Sequence, residues 1–292
     1  MIKIMADSTC DLSPYFIEKY DIGVAPLTIH INGRTYRDKI DIQADEFYKM
    51  IMDLPEPATT SMPSPNEYLE IINQAIMDGY REMLCICMSS GTSAAYQSAV
   101  IARDHFYEDN PNSNIKIHVV DSKSMSHGSG WLILKSARLR EMGASFEDLI
   151  QFNEQYKTQV KHFLTVDDLE HLRRSGRLSN ASTFIGKILN LRPVMTMKNA
   201  RGAIVAKERG RKRVLEHYVR EFIRRNDPDI TDFIIIGYTS DLDFAENLKT
   251  KLLRESGFAG DIYIMQMGVA VGAHVGLGAV SMFFMEKNRK TS

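Results

Sequence analysis

Met83-Leu84-Cys85-Ile86-Cys87-Met88-Ser89-Ser90-Gly91-Thr92-Ser93-Ala94-Ala95-Tyr96-Gln97-Ser98-Ala99 decides how this chain is read. The apolar run Met83 to Met88 reads as a strand buried on both faces. It breaks off into small polar residues, and from Ala94 the spacing of Tyr96, Val100, Ile101 and Phe106 predicts a helix. A helix start leaves backbone N–H groups without partners; Ser or Thr can cap them, and the partial positive charge there attracts anions. No Lys or Arg lies between Met83 and Val100. An anion at this loop is therefore held by hydroxyl and backbone donors, which suits one carboxylate better than a polyphosphate. An ordinary cap without a ligand fits the segment equally well.

At 292 residues the chain has room for two domains or one large one. With Lys plus Arg at 36 and Asp plus Glu at 37, the net charge of −1 argues against nucleic acid or an anionic membrane as the main partner. Three cysteines suggest a reducing compartment without disulfides, and Cys85-x-Cys87 is too little for a metal site. Lys3 and Asp7 interrupt the N-terminus, so no signal peptide is read there. The longest uncharged run, Met265 to Met285, holds four glycines and His274, and reads as strand end, glycine turn and buried helix rather than a membrane span. The expectation is a soluble cytoplasmic protein.

Outward from the central stretch, strands and helices alternate. Ile2 to Ala6 is a strand, and Ser13-Pro14 opens a helix to about Tyr20. Val24 to Ile31 reads as one strand turned by Asn32-Gly33, and Ala44 to Met52 as a helix. Pro55 to Pro65 carries four prolines and four hydroxyl residues, a stiff loop that either presents hydroxyls to a site or merely connects. Ser64 with Glu67 is a capping box for a helix to about Gly79. Ile115 to Val120 is a strand, followed by polar Asp121 to Gly128, a helix from about Ser129 to Met142, and another opened by Ser145 with Asp148 to about Thr158. Phe163 to Val166 is a strand and Asp167 to Leu172 a short helix. Arg173-Arg174-Ser175-Gly176-Arg177-Leu178-Ser179 reads either as a solvated helix end or as an exposed basic patch for an acidic partner. Ser182 to Leu191 is apolar and helical. Pro193 to Met197 and Ala203 to Ala206 form a hairpin, Arg209 to Arg225 a basic amphipathic helix, and Asp232 to Tyr238, Leu242 to Glu255 and Asp261 to Met265 a strand–helix–strand unit.

The pattern predicts an α/β fold of two domains with a ligand between them. Residues 1–159 form a doubly wound, mostly parallel sheet; residues 160–292 form a smaller mixed-sheet α/β domain; the boundary falls near Lys157 to His162. Ligands of such sheets bind at the polar loops after the strand C-termini. His274 is the one titratable residue of its glycine-rich run and reads either as a core histidine or as a ligand contact.

Asp7-Ser8-Thr9…Asp11-Leu12, Thr60-Ser61-x-Pro63-Ser64, Ser89-Ser90…Ser93-x-x-Tyr96-Gln97-Ser98-Ala99, Gly176-Arg177-Leu178-Ser179 and Gly272-x-His274-x-Gly276-x-Gly278 occur in this order along the whole chain. Together they resemble the DegV family, the bacterial fatty-acid-binding proteins that include the FakB subunits of fatty acid kinase. The resemblance implies one long-chain fatty acid buried between the domains, and no other cofactor or metal. Its carboxylate is held at Thr60 and Ser93, with His274 helping to orient it and the backbone of Ser61 and Ala94 nearby. The resemblance further implies that Arg177, with Arg173 and Arg174, lies near the site mouth on the surface that meets a FakA-like ATP-dependent kinase subunit. It implies no nucleic-acid partner and no stable membrane insertion, only transient membrane contact. Ala94-Ala95 stand where the family usually has Gly-Thr, Met62 replaces a frequent Gln and Leu277 a frequent Pro; all three make the head-group region more apolar.

The composition is compatible with such a ligand. Burying about a dozen methylenes contributes on the order of 10 kcal/mol before ordering costs. Candidate wall residues are Phe163, Leu164, Phe184, Ile185, Ile188, Leu189, Met195, Met265, Met267, Phe283 and Phe284, and 16 flexible methionines suit a pocket accepting several acyl shapes. Two other readings compete. Gly91-Thr92-Ser93-Ala94-Ala95 between strand and helix resembles a nucleophile elbow, which makes Ser93 and His274 a serine hydrolase pair, with Asp241 or Asp243 as a positional guess for the third member. A lipid-sensing regulator without a kinase partner is the other.

Overall fold

A computed structural model describes residues 1–179 and 191–287. The first strand, β1 (Ile2–Asp7), is buried at every position, as an apolar run between two neighbours requires. After α1 (Pro14–Lys19), with Pro14 at its first turn, the chain forms β2 (Ile22–Ala25) and β3 (Thr28–Ile31). The single strand expected over Val24 to Ile31 is therefore two, in different sheets. Pro26 lacks a ladder donor, and the Leu27 N–H turns to Ser8 Oγ at 3.0 Å. Asn32 and Gly33, both at positive φ, turn β3 into β4 (Arg34–Arg37). Next come α2 (Ala44–Met50), β5 (Thr59–Ser61) and α3 (Pro65–Met77), whose capping box of Ser64 and Glu67 is formed. The proline-rich stretch is thus not wholly loop: β5 adds to β3 in a small antiparallel sheet ordered β4-β3-β5.

The central stretch folds as β6 (Glu82–Cys87) and α4 (Ala95–Asp109), followed by β7 (Lys116–Asp121), α5 (His127–Glu141) and α6 (Phe146–Tyr156). These complete a parallel sheet ordered β2-β1-β6-β7. A second, six-stranded mixed sheet starts at β8 (Val160–Thr165), which leads into α7 (Leu169–Arg174). It continues with β9 (Leu191–Lys198), β10 (Arg201–Arg209), α8 (Gly210–Arg225), β11 (Phe233–Tyr238), α9 (Leu242–Ser256) and β12 (Asp261–Gln266). It closes with α10 (Val269–Val275) and β13 (Val280–Met285), in the order β10-β9-β8-β13-β11-β12. The expected helix over Ser182 to Leu191 lies outside the described residues except for Leu191, which begins β9.

The glycine-rich end differs from its reading. A helix comes first, the glycine turn second, and the chain then ends in β13, a fully buried strand flanked antiparallel by β8 and β11. Between the two large sheets lies α5, with ten of its residues buried, among them the polar His127, Ser129 and Ser136. Its Trp131 stacks on Phe233 and donates to the Phe233 carbonyl at 3.1 Å. One hydrophobic cluster accordingly joins Ile4, Ile86 and Val120 of the first sheet to Phe233, Ile235 and Phe283 of the second.

Candidate functional site: a cavity between two sheets

The loop after β6 assigns its hydroxyls one by one. Ser89 Oγ donates to the Ala200 carbonyl at 2.7 Å, Ser90 Oγ to the Asp121 carboxylate, and Thr92 Oγ1 to the Ser89 carbonyl at 2.9 Å. Ser93 differs: its oxygen accepts from the Ala95 N–H at 3.2 Å, which leaves its own proton without an acceptor in the described chain. This places the capping hydroxyl one residue before the N-cap Ala94, which has none to offer.

Thr60, on β5, and His274, on α10, meet across the chain with Oγ1 and Nε2 2.8 Å apart. With the ring proton on Nε2, the imidazole donates to Thr60 and the Thr60 proton is left for a ligand. Burial, followed by the positive charges of Arg177 and His171, pushes the imidazole down to about 4, so His274 is neutral at pH 7. His171 fixes the same helix by bonding the Ala273 carbonyl at 2.9 Å.

At the other end of α10, Asp11 Oδ1 accepts from the Gly268 N–H at 2.8 Å and Oδ2 from Ser126 Oγ at 2.6 Å. Tyr48 donates to the Met267 carbonyl at 2.9 Å. Burial raises Asp11 to about 7, with Lys39 acting against it. Asp7 receives the Met88 N–H at 2.8 Å and so fixes where β6 turns into the hydroxyl loop. The first acidic motif is therefore a bracket that holds the site loops in place.

Thr60, Ser61, Ser93, Ala94, His274 and Arg177 all border one cavity of about 420 Å³. Ser61 directs its hydroxyl to His30 Nε2 at 2.8 Å. Arg177 is half-buried and donates to the Ser175 carbonyl, and burial lowers its guanidinium from its ordinary value. Arg173 and Arg174 are exposed and both pair with Glu170, whose carboxyl they hold down at about 2. Most of the remaining wall is apolar, with Thr9, Ser126, His162, Thr196 and Ser281 as further polar members. Of the residues expected there, Leu164, Met195, Met267 and Phe283 line it. Phe163 and Phe284 do not; neighbours along a strand face opposite sides, and both pack with Tyr218 and Phe222 on the far face. Met265 packs instead into the cluster with Trp131. Phe184, Ile185, Ile188 and Leu189 lie outside the described residues. Sequence reasoning missed His162, Met125, Met197, Thr9 and Ser126 on the wall. His162 gives its Nδ1 proton to the Val160 carbonyl at 2.8 Å, and burial lowers it to about 3. Its place two residues before Leu164, on the same face of β8, was the available signal for it.

A hydrolase triad is not assembled. His274 Nε2 is bonded to Thr60, and no hydrogen bond joins it to Ser93 among the described residues. Asp241 caps α9 at Phe244 N–H and pairs with Arg211, while Asp243 lies in the first turn of that helix. Among the described residues no group of three His, Cys, Asp or Glu side chains could hold a metal, and no helix is long and apolar enough to cross a membrane.

Fold and site define a class: a mixed α/β protein with a parallel sheet, a separate mixed sheet, and a largely apolar cavity bordered by hydroxyl and imidazole groups. The chain belongs to the DegV family, whose model ("Uncharacterised protein, DegV family") matches residues 1–287. It is 34% identical over 288 residues to a DegV domain-containing protein of Clostridium acetobutylicum, covering 98% of this chain and 99% of that one. To one from Caldanaerobacter subterraneus it is 32% identical over 287 residues, with 98% and 99% covered. Among solved structures it is similar to a DegV family protein of Thermus thermophilus described as fatty acid binding, at 27% identity, TM-score 0.85 and 98% and 99% coverage. It is likewise similar to DegV of Bacillus subtilis, a fatty acid binding protein, at 27% identity, TM-score 0.83 and the same coverage.

Proposed function

We propose that this protein binds one long-chain fatty acid in the cavity between its sheets and presents the carboxyl group to an ATP-dependent kinase subunit, which makes the acyl phosphate. The observation that carries this reading is one cavity of about 420 Å³, largely apolar in its wall, that Ser93 and the hydrogen-bonded pair Thr60 and His274 all border. A carboxylate there accepts from the Ser93 and Thr60 hydroxyls, with the backbone of Ser61 and Ala94 beside it. Arg177, the one Lys or Arg among the described residues that line the cavity, stands at the mouth. The acyl chain runs along the wall formed by Leu164, Met195 and Phe283. Fatty-acid-binding relatives of the same fold support the ligand class. The carrier itself performs no chemistry in this reading; Arg173, Arg174 and Arg177 form the surface the kinase subunit meets, and the residues before and after position 159/160 act as two domains flanking the ligand.

Native mass spectrometry of the purified chain tests the ligand. We expect a co-purifying or exchangeable long-chain acid in one copy; its complete absence refutes the reading. The kinase step is tested separately. With ATP and a fatty acid kinase catalytic subunit, the loaded protein yields acyl phosphate, and Arg177→Ala lowers the yield. Failure to be captured by or to serve such a subunit leaves the lipid-sensing regulator as the surviving account.

A further inference from the structure

The wall of this cavity has an unusual composition. Six of the chain's 16 methionines reach it: Met62, Met88, Met125, Met195, Met197 and Met267. They come from different parts of the fold: the loop after β5, the end of β6, the loop before α5, strand β9, and the residue after β12. Isoleucine, plentiful in the packed clusters, is absent from the described wall, and Phe283 is its only Phe, Tyr or Trp ring. That ring is held edge-on by His162 at 5.1 Å and tilted against His127 at 5.8 Å, so it is a fixed point beside the methionines.

Methionine has an unbranched side chain with three rotatable bonds and a polarisable sulfur, and it fills irregular gaps by changing rotamer. A wall of β-branched or aromatic residues keeps one shape and selects one acyl outline; a methionine wall repacks around several, as surfaces that accept many partners do. We propose that these methionines make the cavity tolerant of acyl shape, so that the cargo class is straight, cis-unsaturated and methyl-branched long-chain acids together. This rests on the fatty-acid reading above. Recognition is concentrated in the fixed head group of Thr60, Ser93 and His274, which all such acids share, while the tail is fitted by rearrangement.

The test is a binding panel on the delipidated full-length chain with stearic, oleic, elaidic and anteiso-heptadecanoic acids. Wild-type dissociation constants should agree within about ten-fold. The quadruple variant Met125→Leu, Met195→Leu, Met197→Leu, Met267→Leu keeps side-chain volume and removes adaptability; its panel should spread by at least about ten-fold more, with the kinked and branched acids losing most. A wild-type spread beyond about a hundred-fold, or a folded variant with an unchanged profile, overturns the proposal. Should the variant fail to fold, methyl-labelled methionine NMR of the wild type decides. Distinct wall-methionine shifts for stearic and oleic acid support repacking; identical spectra refute it. Binding of none of the four acids instead sinks the fatty-acid reading itself, which separates the two failures.

Discussion

Thr60 and His274 stand 214 residues apart in sequence and 2.8 Å apart in the fold, and neither is marked by its neighbours as a partner of the other. Each was legible only because the order of five short motifs resembles a family. The residues alone left Ser93 between a plain cap and an anion contact, and His274 between a core histidine and a ligand contact. What the structure adds is that Thr60 and His274 meet, and that the Ser93 proton has no acceptor among the described residues. The titration of His274 follows from its surroundings. Its folded value, about 4, lies below the ordinary 6.5. The stability that comes from the neutral ring is therefore complete above the ordinary value and is lost as pH falls toward about 4. A ligand carboxylate beside the ring favours the imidazolium and raises this value. Acid binding should accordingly take up protons and strengthen as pH falls from about 7 to about 5, which calorimetry in buffers of unequal ionisation enthalpy measures. His274→Gln should abolish the uptake; binding without proton linkage in the wild type contradicts this electrostatic account.

Elements with a local cause were readable. Ser64 with Glu67 and Ser145 with Asp148 form both halves of their capping boxes, and Asn32-Gly33 turns its hairpin. Elements whose cause is tertiary were not. The apolar run Val280 to Met285 looks the same as a buried helix segment until β8 and β11 are known to flank it. The break at Pro26 becomes a change of sheet only because Ser8 receives the Leu27 N–H. Close approach between elements is likewise invisible in sequence and gives a sharp prediction. A Cβ on Gly128, in the first turn of α5, meets His162 Nε2 at 2.1 Å. Ala improves helix propensity by about 1 kcal/mol, but overpacking at such a contact costs about 2–3 kcal/mol, so Gly128→Ala should lower the unfolding free energy by about 1–2 kcal/mol in urea. An unchanged or higher midpoint contradicts the packing of α5 on β8.

At the scale of the molecule, α5 decides how the halves behave. Its Trp131 is fully buried on Phe233, in a cluster that takes side chains from both large sheets. Tryptophan fluorescence, which reports that seam, should therefore change together with far-UV circular dichroism in a single unfolding transition; two separated transitions contradict a shared core. The alternation of strand and helix made the α/β class legible, but not that the cavity lies where the bracket of Asp7 and Asp11 brings the loop after β6 against α10. The central claim concerns that place: hydroxyls and the His274 imidazole, which is neutral before the ligand arrives, hold an acid head in a largely apolar cavity. Titration of the delipidated chain with stearic acid and with stearyl alcohol, for wild type and Thr60→Val with Ser93→Ala, measures it directly. The double variant should bind the acid about 10- to 100-fold more weakly and the alcohol only a few-fold more weakly, since hydrogen bonds to a charged group are the stronger ones. An equal loss for both ligands, or no loss for the acid, contradicts the account.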